Sequence, residues 1–409
     1  MLGNAALVKT KLIKAQIIKK AKKSDIKAAT IVSRALRGVL SPVTALMPKQ
    51  ESLSRTVNRI RLKNNPQPLV ISSRGDLQLS SDLTQTHSNE LFLLHDSGGN
   101  KKRFLMFTTA KNLNYLSRCQ HWLGDGTFKS VPHIFAQLYS IHGYVKEKSI
   151  PLVYILSPDK SKSTYTKFLT VLRANLPNFS PQRIIVDFEE AFIQSFKTIY
   201  PNVKISGCNF HFNQCVWRHI QSCGLQKLYN NDIIFATNIH LLTALAFIPS
   251  RDVIEGYEWI VSTDYYDRHS DILDEFLNYF ETTWIGKTRH NKKKREKPKF
   301  DIKLWNAYRA VTEDLLRSNN PIEGWHNSLN RRVATSHASI PQFLNALKNE
   351  QVKTELLMTQ LNTGLNVSTR RKAYRDYDTR LKNVILHYTP DDKLTYLKNV
   401  AKIISLNTN

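Results

Sequence analysis

Trp122–Phe128 has the sequence WLGDGTF, in which one acid, Asp125, lies within a run of apolar and small residues. Two short runs rich in branched and aromatic residues follow it, Ile134–Ile141 (IFAQLYSI) and Leu152–Leu156 (LVYIL). Runs of this length and composition, separated by turn residues, are typical of strands. Together they predict an antiparallel meander of three strands, with Asp125 on the first.

Beyond the meander, the pattern alternates between helix and strand. Ser163-Thr164 is a candidate helix cap ahead of an apolar face at helical spacing. Arg183–Asp187 (RIIVD) is almost wholly apolar up to its final residue, as expected of a buried strand. A helix over Glu189–Tyr200 and a strand at Val203–Ile205 complete the order β-β-β-α-β-α-β. This order is the RNase H-like arrangement, and it puts an aspartate at the end of the fourth strand.

The regions around this core are predicted to be helical. Phe210–Cys223 has the pattern of one helix, helical patterns without strands continue to residue 316, and Glu323 opens a further helix after Asn319-Asn320-Pro321. The predicted fold class is therefore α/β, with an RNase H-like core (a mixed sheet with flanking helices) interrupted by an all-helical insertion. The expected units are a basic helical, candidate DNA-binding region at 1–65, the core with both aspartates at 66–224, the insertion at 225–316, and the completion of the core with the glutamate and C-terminal helices at 317–409.

The charge of the chain points to a polyanionic partner. Lys and Arg number 59 against 33 Asp and Glu, which gives a net charge of +26, and such an imbalance favours nucleic acid over other partners. Half of the excess lies in residues 1–65, and a second basic run spans Lys287–Lys299. Solvated loops or nuclear-import signals are the alternative interpretation of these runs. The candidate phosphate contacts in them are Lys19, Lys20, Lys22, Lys23, Lys292, Lys293, Lys294 and Arg295.

The four cysteines are too few for a fold built on disulfides and predict a reducing compartment. There is no apolar run of about 18 residues and no signal-peptide pattern, so we expect an intracellular chain without a membrane partner.

Cysteine and histidine alternate at helical spacing along one predicted helix, at Cys208, His211, Cys215, His219 and Cys223. Such residues are typical zinc ligands. Zinc is nevertheless the weaker interpretation, because that helix face offers no carboxylate and one helix rarely closes a tetrahedral site.

The two strand aspartates are candidate metal ligands. Burying Asp125 among apolar neighbours is costly unless a partner compensates its charge. Mg²⁺ and Mn²⁺ prefer carboxylate oxygens, and three carboxylates from different elements can hold two such ions for phosphodiester chemistry. Taken singly, an aspartate that closes a strand is more often a turn or cap residue. The two aspartates together, rather than either one alone, favour a catalytic site.

The motifs around these acids resemble those of one family. Asp125–Lys129 (DGTFK), followed by Phe135–Gly143 (FAQLYSIHG), resembles the first catalytic motif of Mutator-like (MULE) transposases. Asp187–Ala191 (DFEEA) resembles the second, and Gly207–Phe212 (GCNFHF) matches the Cys-x-x-His element of that family. Asn319–His326 (NNPIEGWH) resembles the third, which carries the catalytic glutamate. The resemblance covers over two-thirds of the chain, with four motifs in the family's order.

The resemblance implies a DDE-type transposase that cleaves and transfers strands at terminal inverted repeats. Asp125, Asp187 and Glu323 would be its catalytic residues and the ligands of Mg²⁺ or Mn²⁺. The resemblance further implies supporting roles for Cys208, His211 and His326, and a DNA contact at Lys129. The partners would be double-stranded transposon ends and target DNA, bound by a homo-oligomer, expected to be a dimer, in the nucleus.

Two other functions stay open at this point, and one expected part is missing. A domesticated descendant could bind DNA and regulate transcription without catalysis, although the complete set of three acids favours the enzyme. An RNase H-like nuclease acting on RNA would share the acids but not the Cys-x-x-His element. Many relatives carry a FLYWCH-type zinc finger before the core, yet the first cysteine here is Cys119. Either that domain is lost, or the chain begins just after it.

Overall fold

The N-terminal region consists of helices with a small hydrophobic core of their own. The computed structural model of the chain describes residues 2–23, 28–64, 73–99, 101–288, 295–333, 338–364, 372–404 and 406. The first helices are α1 (Leu2–Lys23), α2 (Ala28–Leu36), α3 (Ser41–Thr44) and α4 (Gln50–Asn64). Ile13, Ile17 and Ala21 lie four residues apart, so they share one face of α1, and that face packs against buried residues of the next three helices. The predicted basic helices are therefore present.

The next part of the chain forms most of the sheet. After α5 (Ser81–Thr84), the elements are β1 (Leu93–Asp96), β2 (Leu105–Phe107), α6 (Ala110–Leu116), β3 (His121–Thr127), β4 (Gln137–Val145) and β5 (Lys148–Ser157). β3, β4 and β5 pair antiparallel, as the predicted meander requires. The β4–β5 turn has positive φ angles at Lys146 and Glu147. These two residues give no turn signal in the sequence, which is why the predicted third strand began too late, at Leu152.

The alternating part follows, with α7 (Lys162–Ala174), β6 (Arg183–Val186), α8 (Glu190–Ile199) and β7 (Lys204–Gly207). The sheet has seven strands in the order β1-β2-β5-β4-β3-β6-β7. β6 pairs parallel with both β3 and β7, so the sheet is mixed. The predicted order of strands and helices is confirmed. A second boundary was also wrong: Ile134 and Phe135 lie in a turn in which the Phe135 N–H donates to the Pro132 carbonyl, so β4 begins only at Gln137.

The remainder of the described chain is helical, apart from an isolated bridge between Thr288 and Arg295. In order, its elements are α9 (Asn209–Ser222), α10 (Gln226–Asn231), α11 (Ile233–Ala244), a 3-10 helix (Leu245–Phe247), α12 (Val253–Val261), α13 (Asp264–Arg268), α14 (Ser270–Phe280), a π-helix (Glu281–Ile285), α15 (Ile302–Trp305), α16 (Tyr308–Thr312), α17 (Asn320–Val333), α18 (Ile340–Asn362), α19 (Lys372–Leu386), a 3-10 helix (Pro390–Asp392) and α20 (Lys393–Ile403). No helix in these ranges is both long and apolar enough to cross a membrane.

Helices pack on both faces of the sheet. Neighbouring residues of a strand point to opposite faces. Tyr139 of β4 stacks on Phe192 of α8, with ring centroids 4.5 Å apart. Its neighbour Leu138 belongs instead to the hydrophobic cluster that contains Leu329 of α17 and Phe343 of α18. Asp125 points to the face of the sheet that α17 covers, because its strand partner Ser140 contacts His326 of α17.

Candidate active site

Asp125 lies on β3, and Asp187 directly follows β6, the strand that pairs parallel with β3. β3 and β6 are in register at Leu123 and Ile185, two residues before each aspartate. Adjacent strands lie about 4.8 Å apart, and residues two apart share a face. The backbone N–H of Glu189 donates to the Asp187 carboxylate, with an N–O distance of 3.2 Å. The two acids that the sequence singled out are therefore neighbours.

Glycines flank Asp125 because the other face of β3 leaves no room for side chains. A Cβ atom on Gly124 would lie 2.9 Å from the Tyr139 hydroxyl, and one on Gly126 would lie 2.6 Å from the Gln137 Oε1 atom. Both partners are fully buried. The Gly-Asp-Gly pattern thus follows from close packing on one face of the strand, while the aspartate points to the opposite face. Asp125 is only 5 % exposed there.

Glu323 reaches the same place from the first turn of α17. One carboxylate oxygen of Glu323 lies 3.2 Å from the Nε2 atom of His211, which belongs to the first turn of α9. Ligand atoms of Asp125, His211 and Glu323 all lie within 4.8 Å of one another. The structure therefore brings together the first and third predicted acids, and His211 lies between α9 and α17 as part of the same cluster.

The electrostatics of this cluster are those of an uncompensated anionic site. Burial raises the pKa of Asp125 well above its ordinary value, and the negative charges of Asp187 and Glu323 raise it further. Burial also raises the pKa of Asp187, although the Glu189 N–H and Lys160 oppose this shift. Burial alone raises the pKa of Glu323 to about 7. Like charges held this close favour protonation unless a cation balances them.

His326 connects Asp125 to a buried chain of polar side chains. Its Nδ1 atom lies 3.6 Å from the Asp125 carboxylate, and its Nε2 atom lies 3.2 Å from the Ser140 hydroxyl. Ser140 continues to the Nε2 atom of His142 at 3.1 Å, and His142 continues to the Ser149 hydroxyl at 2.9 Å. Burial lowers the pKa of His326 to about 3. A neutral imidazole fixed at its other nitrogen can orient Asp125 without competing for a cation.

Cys208 anchors the start of α17 and is not a member of the cluster. Its buried Sγ atom accepts a hydrogen bond from the Asn319 N–H at 3.0 Å. The Asn319 side chain donates in turn to the Gly124 carbonyl, also at 3.0 Å. Burial raises the pKa of Cys208 to about 12, so it is a thiol. Asn319 was not predicted as a site residue, and its only signal was its position beside the helix start.

Lys160 is the cation that the sequence analysis missed, because it lies in the loop before α7 without a motif around it. It lies 3.9 Å from Glu189, and its charge lowers the pKa of both aspartates. Its Nζ atom also lies 6.0 Å from the centre of the Phe128 ring, which is 62 % exposed. Lys129, the next residue in the chain after Phe128, is exposed. Lys160 therefore borders the acids, with the exposed Phe128 ring near it.

The other predicted DNA contacts have different surroundings. Lys19, Lys20 and Lys22 lie on exposed positions of α1, and the side chain of Lys23 is outside the described part of the chain. Lys292, Lys293 and Lys294 are outside it as well. Arg295 forms ion pairs with Glu258 at 3.0 Å and Glu281 at 2.5 Å. Its side chain is 13 % exposed, so these contacts do not favour a role in DNA binding.

Farther along α9, a second set of ligand-type residues is present. Ligand atoms of His219, Cys223 and Glu275 all lie within 4.8 Å of one another. Glu275 belongs to α14, so a second helix supplies the carboxylate that the face of α9 lacks. Cys215 lies between the two sets on α9 and belongs to neither within the described residues.

Comparison with known proteins supports the resemblance. The family model described as the MULE transposase domain matches residues 121–215, from the start of β3 to the middle of α9. This segment contains Asp125, Asp187 and His211, whereas Glu323 lies beyond it. No curated protein matches the chain. Among solved structures, the chain is similar to the Drosophila P element transposase strand transfer complex, with 10 % sequence identity, a TM-score of 0.23, and coverage of 93 % of this chain and 92 % of the other.

Proposed function

We propose that this chain, in which residues 121–215 are a MULE transposase domain, is a DNA transposase of the DDE type. Asp125, Asp187 and Glu323 are its catalytic residues, and they act on double-stranded transposon ends and target DNA. The observation that carries this proposal is that ligand atoms of Asp125 on β3 and Glu323 on α17 lie within 4.8 Å of each other, with the charge of Asp187 close enough to raise the pKa of Asp125. A transposase-related function follows from the domain, and the cluster supplies the chemistry.

The donor atoms of the cluster fit a hard divalent cation. Three carboxylates are the ligands that Mg²⁺ and Mn²⁺ prefer, and His211 adds a nitrogen that Mn²⁺ also accepts. The buried Oε1 atom of Glu323 has no hydrogen-bond partner among the described residues, which leaves its lone pairs for an ion. When bound, such ions polarise the scissile phosphate and favour ionisation of the attacking hydroxyl. Asp125, Asp187 and Glu323 would hold them.

The remaining residues position the acids and the DNA. His326, itself held by Ser140, lies 3.6 Å from the Asp125 carboxylate, and neutral His211 lies 3.2 Å from Glu323. Burial lowers the pKa of His211 to about 4, so it does not neutralise Glu323 by protonation at neutral pH. Lys160, whose charge acts on both aspartates, and the exposed Lys129 would neutralise phosphates of the bound DNA.

The same proposal covers fold, organisation and location. β3, β4 and β5 pair antiparallel, and β6 and β7, which follow α7 and α8, extend the sheet as parallel strands. This arrangement supports an RNase H-like core divided between residues 66–224 and 317–409. Residues 225–316 would be its helical insertion, and residues 1–65 would contribute unspecific phosphate contacts. We further propose that a dimer acts on DNA in the nucleus.

The decisive experiment is strand cleavage of a duplex that carries an end of the element, with Mg²⁺ or Mn²⁺. Asp125→Asn, Asp187→Asn and Glu323→Gln keep side-chain volume and should each abolish cleavage while duplex binding persists. Glu190→Gln is the matched control, because Glu190 is an exposed acid only three residues from Asp187. Cleavage by any of the three variants at the wild-type rate would remove that residue from the site. Tight duplex binding without cleavage by the wild type would favour a silent regulator.

A further inference from the structure

The last turn of α9 packs against α14 through three side chains with metal-binding atoms. His219 and Cys223 lie four residues apart on α9, so they share one face of the helix. Glu275 of α14 approaches that face, and the three ligand atoms lie within 4.8 Å of one another. Around a tetrahedral zinc ion, ligand atoms are separated by roughly 3.3–3.8 Å. Small side-chain rotations would therefore bring these atoms to coordination distance.

The hydrogen bonds of His219 leave one ring nitrogen aimed at this place. The Ser222 hydroxyl donates to the His219 carbonyl at 2.9 Å, so its oxygen is available to accept from the Nδ1–H at 3.4 Å. An Nδ1–H that donates to Ser222 would leave a lone pair on Nε2. The Nε2 atom is buried and has no hydrogen-bond partner within the described ranges. The ring itself is held by stacking on Tyr279, with centroids 3.7 Å apart.

We propose that His219, Cys223 and Glu275 bind a zinc ion that joins α9 to α14. An imidazole, a thiol and a carboxylate form a donor set that suits zinc and does not suit Mg²⁺, which prefers oxygen ligands alone. Glu275 is exposed, so water has access to complete the tetrahedron. Nothing in this assignment depends on whether the carboxylate cluster is catalytic.

The electrostatics of the three side chains agree with a bound cation. Burial raises the pKa of Cys223, and the negative charge of Glu275 raises it further. Burial lowers the pKa of His219, which keeps the imidazole in its neutral, metal-binding form, although Glu275 opposes this shift. A zinc ion allows the thiolate and the carboxylate to be ionised side by side.

The ion would act as a structural tie. His211, at the other end of α9, faces Glu323 and lies eight residues before His219. At 1.5 Å per residue the two are about 12 Å apart along the helix. Fixing the last turn of α9 to α14 therefore fixes the axis that carries His211, without an ion touching the carboxylate cluster.

The test is binding of Co²⁺ and Zn²⁺ to the full chain, freed of metal and kept in excess Mg²⁺ to occupy the carboxylates. Wild type should bind one Co²⁺ with a thiolate-to-cobalt charge-transfer band, and Cys223→Ser should abolish the band. Cys215→Ser is the matched control, because Cys215 lies on the same helix four residues before His219 and outside the trio. This variant should keep the band. Glu275→Gln should weaken Zn²⁺ affinity at least tenfold, and Ser222→Ala by roughly tenfold.

A second measurement separates ligand loss from misfolding. Zn²⁺ should raise the Tm of wild type and of Cys215→Ser, because it binds only the folded chain, and should leave that of Cys223→Ser unchanged. The proposal is overturned if wild type gives no cobalt band, if Cys223→Ser retains it, or if Zn²⁺ raises the Tm of both serine variants equally. Strand cleavage does not enter these readouts, so failure here leaves the proposed function untouched, and the reverse also holds.

Discussion

Replacing Glu323 with glutamine should stabilise the metal-free protein at alkaline pH. Burial raises the pKa of Glu323 from its ordinary 4.5 to about 7. Between these values the unfolded chain loses the proton while the folded chain keeps it, so the free energy of unfolding falls as pH rises. A difference of about 2.5 pKa units corresponds to about 3 kcal/mol, lost between roughly pH 4.5 and 7. The neutral amide of Glu323→Gln escapes this loss.

The assay is urea denaturation of wild type and Glu323→Gln with a chelator present, at several pH values from 4 to 8 (roughly the window over which the two pKa values act). The two proteins should be equally stable at the acidic end, and the variant should be more stable by up to about 3 kcal/mol at the alkaline end. Glu190→Gln, which removes an exposed carboxylate, should show no such trend. Saturating Mn²⁺ should reverse the difference, because the wild type gains a ligand that the variant lacks. A stability difference that does not change with pH would refute the assignment of Glu323 to a buried anionic cluster.

Three further predictions follow from other contacts of the site. His326→Asn should shift the Mg²⁺ dependence of strand cleavage to concentrations about tenfold higher, because Asp125 loses its orienting partner; an unchanged metal titration would exclude that role. Lys129→Ala and Lys160→Ala should each weaken duplex binding and reduce the slope of log affinity against log salt by about 1, as measured by fluorescence anisotropy. Lys148→Ala is the control, because it removes a lysine at the start of β5, far from the acids, and it should keep the wild-type slope. Gly124→Ala should destabilise the fold by about 1–3 kcal/mol in thermal denaturation, because its methyl group would collide with the buried Tyr139 hydroxyl; a Tm equal to that of wild type would contradict this packing argument.

The sequence was most informative where the site is local to the sheet. Hydrophobic runs placed Asp125 within one predicted strand and Asp187 at the end of another, and the motif resemblance then singled out both acids. Glu323 follows Asp187 by 136 residues, and only the motif resemblance singled it out. The pairing of His219 and Cys223 with Glu275 leaves no sequence signal, since it arises from the packing of two helices and Glu275 follows Cys223 by 52 residues. Lys160 has no periodicity or motif, so its position became apparent only from the fold.

The segment before α17 explains how a distant glutamate is held at the aspartates. Arg183 of β6 donates to the Leu316 carbonyl at 2.8 Å, and the Asn209 N–H at the start of α9 donates to the Arg317 carbonyl at 2.9 Å. Asn319 then bonds to Cys208 and to the Gly124 carbonyl. Four hydrogen bonds therefore tie residues 316–319 to β6, to the start of α9 and to β3.

These bonds assign a definite role to the Cys-x-x-His element. Cys208 sets the start of α17 relative to the sheet, and His211 one turn later contacts the glutamate that this start delivers. A thiol suits the first task because it accepts the Asn319 N–H without adding a fourth negative charge beside Asp125. A carboxylate at that position would raise the electrostatic cost of a cluster whose acids already resist ionisation. The element therefore holds Glu323 beside Asp125 although 135 residues separate Glu323 from Asp187 in the chain.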